Sequence, residues 1–177
     1  MPAENEGRVE TAFFEDDGRV PNSRLPVILY RGAIEPDDAD PALAFERRFG
    51  ANGWSGSWRW SVYPFHHYHS TAHEVLGVAV GKASLRLGGR KGRDFKVEAG
   101  DVVLLPGGTG HKKVAASCDF LVVGAYPEGR DRDLIKPYRE SAAIHDAALM
   151  RIAALPLPKL DPVAGRHGPL TRLWKLS

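Results

Sequence analysis

At 177 residues, 43% hydrophobic and 26% charged, the chain has the size and composition of one ordinary globular domain. Lys and Arg number 24 against 22 Asp and Glu, and the formal net charge of +2 is spread with the signs interspersed, so charge makes no case for a nucleic-acid or membrane-surface partner. Cys118 is the single cysteine, which excludes an intrachain disulfide; with no apolar run of membrane-spanning length and no apolar leader behind the polar N-terminus, a cytoplasmic protein is expected.

In chain order, residues 1–21 are polar and rich in Gly and Asp apart from Phe13-Phe14, and read as a partly ordered arm. Leu25 to Tyr30 is a β-rich run suited to an outer strand. A short helix follows from Asp40 to Gly50, with Asp40 as cap, Pro41 at the first helical position and Gly50 as stop. Phe45 and Phe49 share one face of it and are expected to pack on the outside of the β core. From Trp58 the pattern takes period two. The expected strands are Trp58–His69, Glu74–Val80, Ala83–Leu87, Phe95–Val97, Val102–Leu105, Lys112–Ala116 and Phe120–Tyr126, separated by Gly- and Pro-rich turns.

Arg86, Arg90, Lys91 and Arg93 surround Gly88-Gly89 and read as a solvated hairpin tip in preference to a phosphate site. Cys118, at a strand-to-strand turn with no dedicated base beside it, reads as a small structural residue. Ser141 to Leu155 carries a helical stripe of Ile144, Ala148, Ile152 and Leu155, ended by Pro156. The tail holds Leu173 and Trp174, which must bury on their own barrel or on a second subunit. This divides the chain into an N-terminal arm with strand and helix (1–57), a β core (58–127) and a C-terminal helix and extended tail (128–177), without internal repeat. Many short strands argue for a sandwich or barrel, and length alone does not separate a jelly roll from an immunoglobulin-like sandwich.

The chemistry concentrates in two stretches. His67 and His69, one residue apart, project from one face of a strand. Glu74 has the opposite parity, so residues 70–73 must contain a turn if its carboxylate is to join them. His111 follows the glycine-rich turn from Pro106 to Gly110. Neutral imidazoles with one carboxylate suit a single divalent transition metal (iron, nickel, zinc, manganese or copper), whereas calcium and magnesium prefer oxygen shells. Tyr63 and Phe65 share the parity of His67 and are expected to line the pocket beside the metal. His66, out of phase, should face the other way, and His73 is a candidate to orient Glu74. The His69/His73 spacing would fit a helical zinc pair, but no glutamate follows His69 and Pro64 opposes a helix. His145 and His167 have no partner nearby in sequence and read as structural or solvated.

The set His67, His69, Glu74 and Gly81, followed by Gly100, Pro106, Gly108 and His111, resembles the two motifs of the cupin superfamily. Ala115 stands where the second motif usually closes with Asn, a position that is generally not a ligand. Tyr30-Arg31-Gly32, Asn52-Gly53-Trp54, Phe65 to Gly77 and Asp119 to Pro127 look like a bacterial subfamily of YjlB-type cupins. The resemblance implies an all-β, single-domain jelly-roll barrel with a short N-terminal helix and a C-terminal helical and extended arm. It also implies a metal cage of His67, His69, Glu74 and His111, and supplies no substrate. The expected function is that of a metal-dependent enzyme acting on a small polar organic molecule, with dioxygenase-like or isomerase-like chemistry. The alternative is a non-catalytic cupin whose metal is structural or serves small-ligand binding; beyond the ligands, Tyr63 alone offers an acid or base. A homodimer is expected from the arms outside the barrel, and a DNA-binding regulator is disfavoured by the lack of any helix-turn-helix or basic face.

Overall fold

The central strands abandon apolar/polar alternation because they are covered on both faces. In a computed structural model, which describes residues 8–176, the chain forms nine strands and three helices. They are β1 (Val9–Phe14), β2 (Ser23–Tyr30), α1 (Pro41–Ala51), β3 (Trp54–Trp60), β4 (Glu74–Val80), β5 (Lys82–Leu87), β6 (Arg93–Glu98), β7 (Val102–Leu105), β8 (His111–Ala116), β9 (Leu121–Pro127), α2 (Ala142–Ala153) and α3 (Pro169–Leu173). All strand pairs are antiparallel, in a six-stranded sheet ordered β1-β2-β7-β4-β9-β3 and a three-stranded sheet ordered β6-β5-β8.

Period two then sorts the apolar residues into two cores. Leu76 and Val78 of β4, Val103 and Leu105 of β7 and Val122 of β9 meet Leu85, Leu87 and Val97 of the small sheet, forming the inside of a jelly-roll barrel. The alternate residues Val75, Ala79, Val102, Leu104, Val123 and Ala125 face outward, onto Phe45 and Phe49 of α1 and onto Leu170 and Trp174 of the tail. Glu74 has the parity of Leu76 and therefore opens β4 on the barrel interior.

Several expectations need correction. Residues 9–14 are not an arm: β1 pairs with β2 at the edge of the large sheet, with Phe14 edge-on to Phe95 and Phe13 outward in solvent. Residues 1–7 lie outside the described part of the chain. The strand expected over Trp58–His69 ends at Trp60, and residues 61–73 cross as an irregular strap held by single bridges, His67 to His111 and Tyr68 to Ile135. Pro64, which lacks a ladder donor, lies in that strap. Asp40 occupies the N-cap position of α1 but makes no capping hydrogen bond; its carboxylate instead accepts two bonds from Arg59, at 2.8 and 2.9 Å. His145 does find a partner, far away in sequence, in Asp16 at 2.8 Å.

The tail buries on its own barrel. Leu170 and Trp174 are buried, and the Trp174 indole N–H donates to the Pro26 carbonyl at 2.9 Å. Asp161, with no exposure, fastens this segment: its carboxylate accepts from the Tyr30 hydroxyl (2.5 Å) and from the backbone N–H groups of Val163, Ala164 and Leu170 (2.8, 2.9 and 2.9 Å). On the other flank, Ile144, Ala148 and Ile152 of α2 pack against Tyr68 and Ile135. Among the described residues no helix is long and apolar enough to cross a membrane.

Candidate metal centre

The strap and β8 bring two histidines together through their own backbones. His67 N–H donates to His111 O at 3.2 Å and His111 N–H donates to His67 O at 2.9 Å, so the rings lie with centroids 4.0 Å apart. His69 is fixed one step on, where Gly108 N–H donates to its carbonyl at 2.7 Å. Gly108 adopts φ 94°, a left-handed conformation that L side chains rarely take, and a Cβ there would stand 2.4 Å from Asn22 O. The glycine turn thus serves both His69 and His111.

Each imidazole is oriented by a backbone carbonyl. His67 Nδ1 faces Phe65 O at 3.0 Å, His111 Nδ1 faces Thr109 O at 3.0 Å, and His69 Nδ1 makes a short contact with Asp133 O. A carbonyl only accepts, so Nδ1 carries the hydrogen, and at His67 and His111 Nε2 keeps a free lone pair. The three buried histidines each offer a ligand atom, all within 4.8 Å of one another. Glu74 approaches from the His69 side, its Oε2 2.6 Å from His69 Nε2. His111 Nε2, by contrast, is a buried side-chain atom without a hydrogen-bond partner among the described residues. Buried polar atoms are rarely left unsatisfied, and a cation between these groups would satisfy this one. The donor set fits a divalent transition metal.

Electrostatics supports the same fit. Burial, followed by the proximity of His111, pushes His67 down to about 2, and burial pushes His111 down to about 4. Both rings are therefore neutral near pH 7. Burial opposes a charge on His69, but the Glu74 carboxylate and the Asp133 carbonyl outweigh it and raise that histidine. Burial alone would raise Glu74; the charge and proximity of His69 lower it instead. Each partner thus favours the charged form of the other, and a metal bound to both would compete with a proton on His69.

The cluster forms the floor of a cavity of about 280 Å³. Trp58, Trp60, Tyr63, Leu76 and Tyr126 wall it, and Ser61, Arg132, Asp133 and Leu134 also line it. Tyr63 reaches the cavity. Phe65 keeps the side of Tyr63 and His67, stacked on the first at 4.7 Å and edge-on to the second at 5.7 Å, but it does not line the cavity. His66 turns away, edge-on to Tyr138 at 5.2 Å. His73 does not orient Glu74: its Nδ1 accepts from Gly107 N–H at 2.9 Å and its ring packs on Trp174.

A protein of Bacillus subtilis (strain 168) described as uncharacterised protein YjlB is 41% identical over 172 residues, covering 96% of this chain and 98% of the relative. This chain belongs to the YjlB family. No protein-family profile matches it. Among solved structures, procruciferin, an 11S globulin of Brassica napus, aligns at 19% identity over 70% of this chain and 31% of its own, with a TM-score of 0.40. Acireductone dioxygenase of Bacillus anthracis, with cadmium in its active centre, aligns at 18% identity over 69% and 78%, TM-score 0.37. Bacillus subtilis oxalate decarboxylase aligns at 17% over 71% and 27%, TM-score 0.36. The chain thus spans less than a third of the globulin and the decarboxylase. Likenesses this distant leave function to be argued from the site.

In this YjlB-family chain several site residues carry little sequence signal. Tyr126 shares the inner-face parity of Val122 and Gly124 on β9, and Gly124 is the available clue. A Cβ there would stand 2.2 Å from the Trp58 indole, which crosses β9 so that its N–H donates to the Tyr126 hydroxyl at 2.7 Å. Arg132 and Asp133 come from an irregular segment that no periodicity announces. Asp133 Oδ1 accepts from the N–H of Ser70 (2.6 Å), Oδ2 accepts a short bond from the Ser70 hydroxyl, and Arg151 of α2 donates to that same hydroxyl at 2.8 Å. This network presents the Asp133 carbonyl to His69. Asp133→Ala is accordingly expected to weaken metal binding about 10–100-fold without unfolding the barrel, measured by chelator competition; unchanged affinity would show that the network does not position His69.

Proposed function

We propose that this protein binds one divalent transition metal through His67, His69, His111 and Glu74 and acts with it on a small polar organic substrate held in the adjoining cavity. The observation that carries this reading is the convergence of three buried imidazoles and the Glu74 carboxylate, with His111 Nε2 unpartnered, at the wall of that cavity. An ion serving only as a staple needs no such hollow beside it. When bound, iron, nickel, zinc, manganese or copper supplies Lewis-acid polarisation of a substrate oxygen or, for the redox-active ions, dioxygenase-like chemistry.

The chain's own groups exclude water and manage protons. Trp58, Trp60 and Tyr63 wall the site with aromatic surface. Tyr126 is held protonated by burial and by the nearby Glu74 charge, and because its oxygen already accepts from Trp58, its hydrogen remains available to a substrate oxygen. Isomerase-like and oxygenase-like outcomes both use these parts.

The test is protein purified without nickel affinity, assayed for metal and then screened for turnover and oxygen uptake with small diols and diketones. One equivalent of metal and turnover with a member of that set are expected. His67 and His111 are neutral above about pH 4, so they do not compete with the metal there. His69 must lose its extra proton, so affinity should be level above its raised pKa and fall up to about tenfold per unit as pH drops below it. Stoichiometric metal without turnover or ligand binding would leave the structural-ion alternative, and absence of metal would remove both.

We also propose a cytoplasmic homodimer. The lone cysteine suits a reducing compartment, and Phe13, Leu149 and Met150 expose apolar surface outside the barrel, at 67%, 40% and 77%. Light scattering at micromolar concentration is expected to give twice the chain mass; a monomer throughout would remove this element.

A further inference from the structure

We infer that the cavity selects a small, flat organic carboxylate, with its negative oxygens on Arg132 and its metal-facing oxygens at the histidine cluster. The inference rests on the metal-centre reading above and narrows it to a substrate class.

Among the described residues, Arg132 is the only Lys or Arg lining the cavity. Its guanidinium lies over the Tyr126 ring, 4.8 Å from the centroid, and makes no ion pair with a carboxylate among the described residues. Three other guanidiniums on the barrel are engaged by carboxylates, Arg31 by Glu10 and Asp101, Arg59 by Asp40 and Glu46, and Arg86 by Asp94, whereas Arg93, which lies over the Phe95 ring at 5.0 Å, does not line this cavity. The neighbouring Asp133 carboxylate accepts from Ser70 and Thr71 and lies 3.9 Å from Arg151, and among the described residues it makes no ion pair with Arg132. The other carboxylate lining the cavity, Glu74, sits against His69 on the floor. Resting over Tyr126, the exposed Arg132 side chain keeps its N–H groups for a planar, two-oxygen acceptor.

Shape supplies the rest. The walls are aromatic, and the volume of about 280 Å³ lies just under the range of about 300–1,000 Å³ that holds drug-sized ligands. Trp60 and Leu134, lining the same cavity, are 55% and 43% exposed and offer cover to a flat apolar body. A divalent ion with Arg132, set against the Glu74 and Asp133 carboxylates, would still leave the hollow with one net positive charge, which favours an anion in a partly desolvated site.

The test uses zinc-loaded protein, with 3,4-dihydroxybenzoate and its neutral amide as probes, followed by tryptophan fluorescence and calorimetry. Both probes present the same diol to the metal and differ at the group meant for Arg132. The acid is expected to bind about tenfold or more tightly than the amide. Arg132→Gln should bring the two within about twofold while zinc stoichiometry stays the same, and Arg132→Lys should retain part of the preference. Equal binding of acid and amide by the parent protein, or a preference undiminished in Arg132→Gln, would overturn the inference. Elemental analysis of the same samples separates the two layers: stoichiometric zinc without acid preference removes only the carboxylate, whereas loss of zinc from the parent protein removes the metal centre and the inference with it.

Discussion

Replacing His67 and His111 together by alanine is expected to abolish stoichiometric metal binding and leave a folded barrel. The two rings are carried by one backbone bridge, and each is pre-set by a carbonyl on its Nδ1. Losing a group that merely supports a ligand costs about 10–100-fold in metal affinity, so losing two ligands exceeds that range. The fold should tolerate the change because the barrel interior is closed by Leu76, Leu85, Leu87, Val103 and Leu105, which are apolar and at most 2% exposed. In the metal-free protein the site is a burden on stability: His111 Nε2 has no partner, and such an orphan costs about 1–3 kcal/mol. Removing His111 relieves it while opening a small cavity. Elemental analysis with far-UV circular dichroism reads both outcomes. One equivalent of metal in the folded double variant would place the site elsewhere.

Asp161→Ala is expected to be the most damaging single change outside the site, lowering stability by about 3–5 kcal/mol. Its carboxylate is fully buried and accepts from four donors, all of which would be left without an acceptor. The segment it fastens carries Leu170 and Trp174 into the outer core, so the damage reaches the packing of β2 and β4. For a chain of this size the thermal midpoint should fall by roughly 10 °C. Asp161→Asn, which keeps one oxygen, should lose less. A loss below about 1 kcal/mol for the alanine variant would mean that the tail is held by its apolar contacts alone.

What the sequence disclosed follows physical locality. Val102–Leu105 and the turns before and after it are legible because turn chemistry and burial act on adjacent residues. The same holds for His111, delivered by Pro106-Gly107-Gly108 directly before it. Glu74 could be placed because its parity break demanded a turn, and residues 70–73 are irregular. β1 was not legible: it is an edge strand with one solvated face, so its pattern matches that of an arm. The end of β3 was missed because residues 61–69 keep the side-chain alternation of a strand while leaving the sheet. Asp133 and Arg132 were invisible because they meet the site from far along the chain, Asp133 lying 64 residues after the His69 it contacts. Nothing local marks such a partner.

The central claim is that one metal ion sits among four named side chains, and anomalous diffraction from crystals of the metal-loaded protein addresses it most directly. The expected result is a single peak at the absorption edge of the loaded metal, about 2.0–2.2 Å from Nε2 of His67, His69 and His111 and from a Glu74 oxygen. A peak elsewhere, or one bound by fewer than three of these residues, would contradict it.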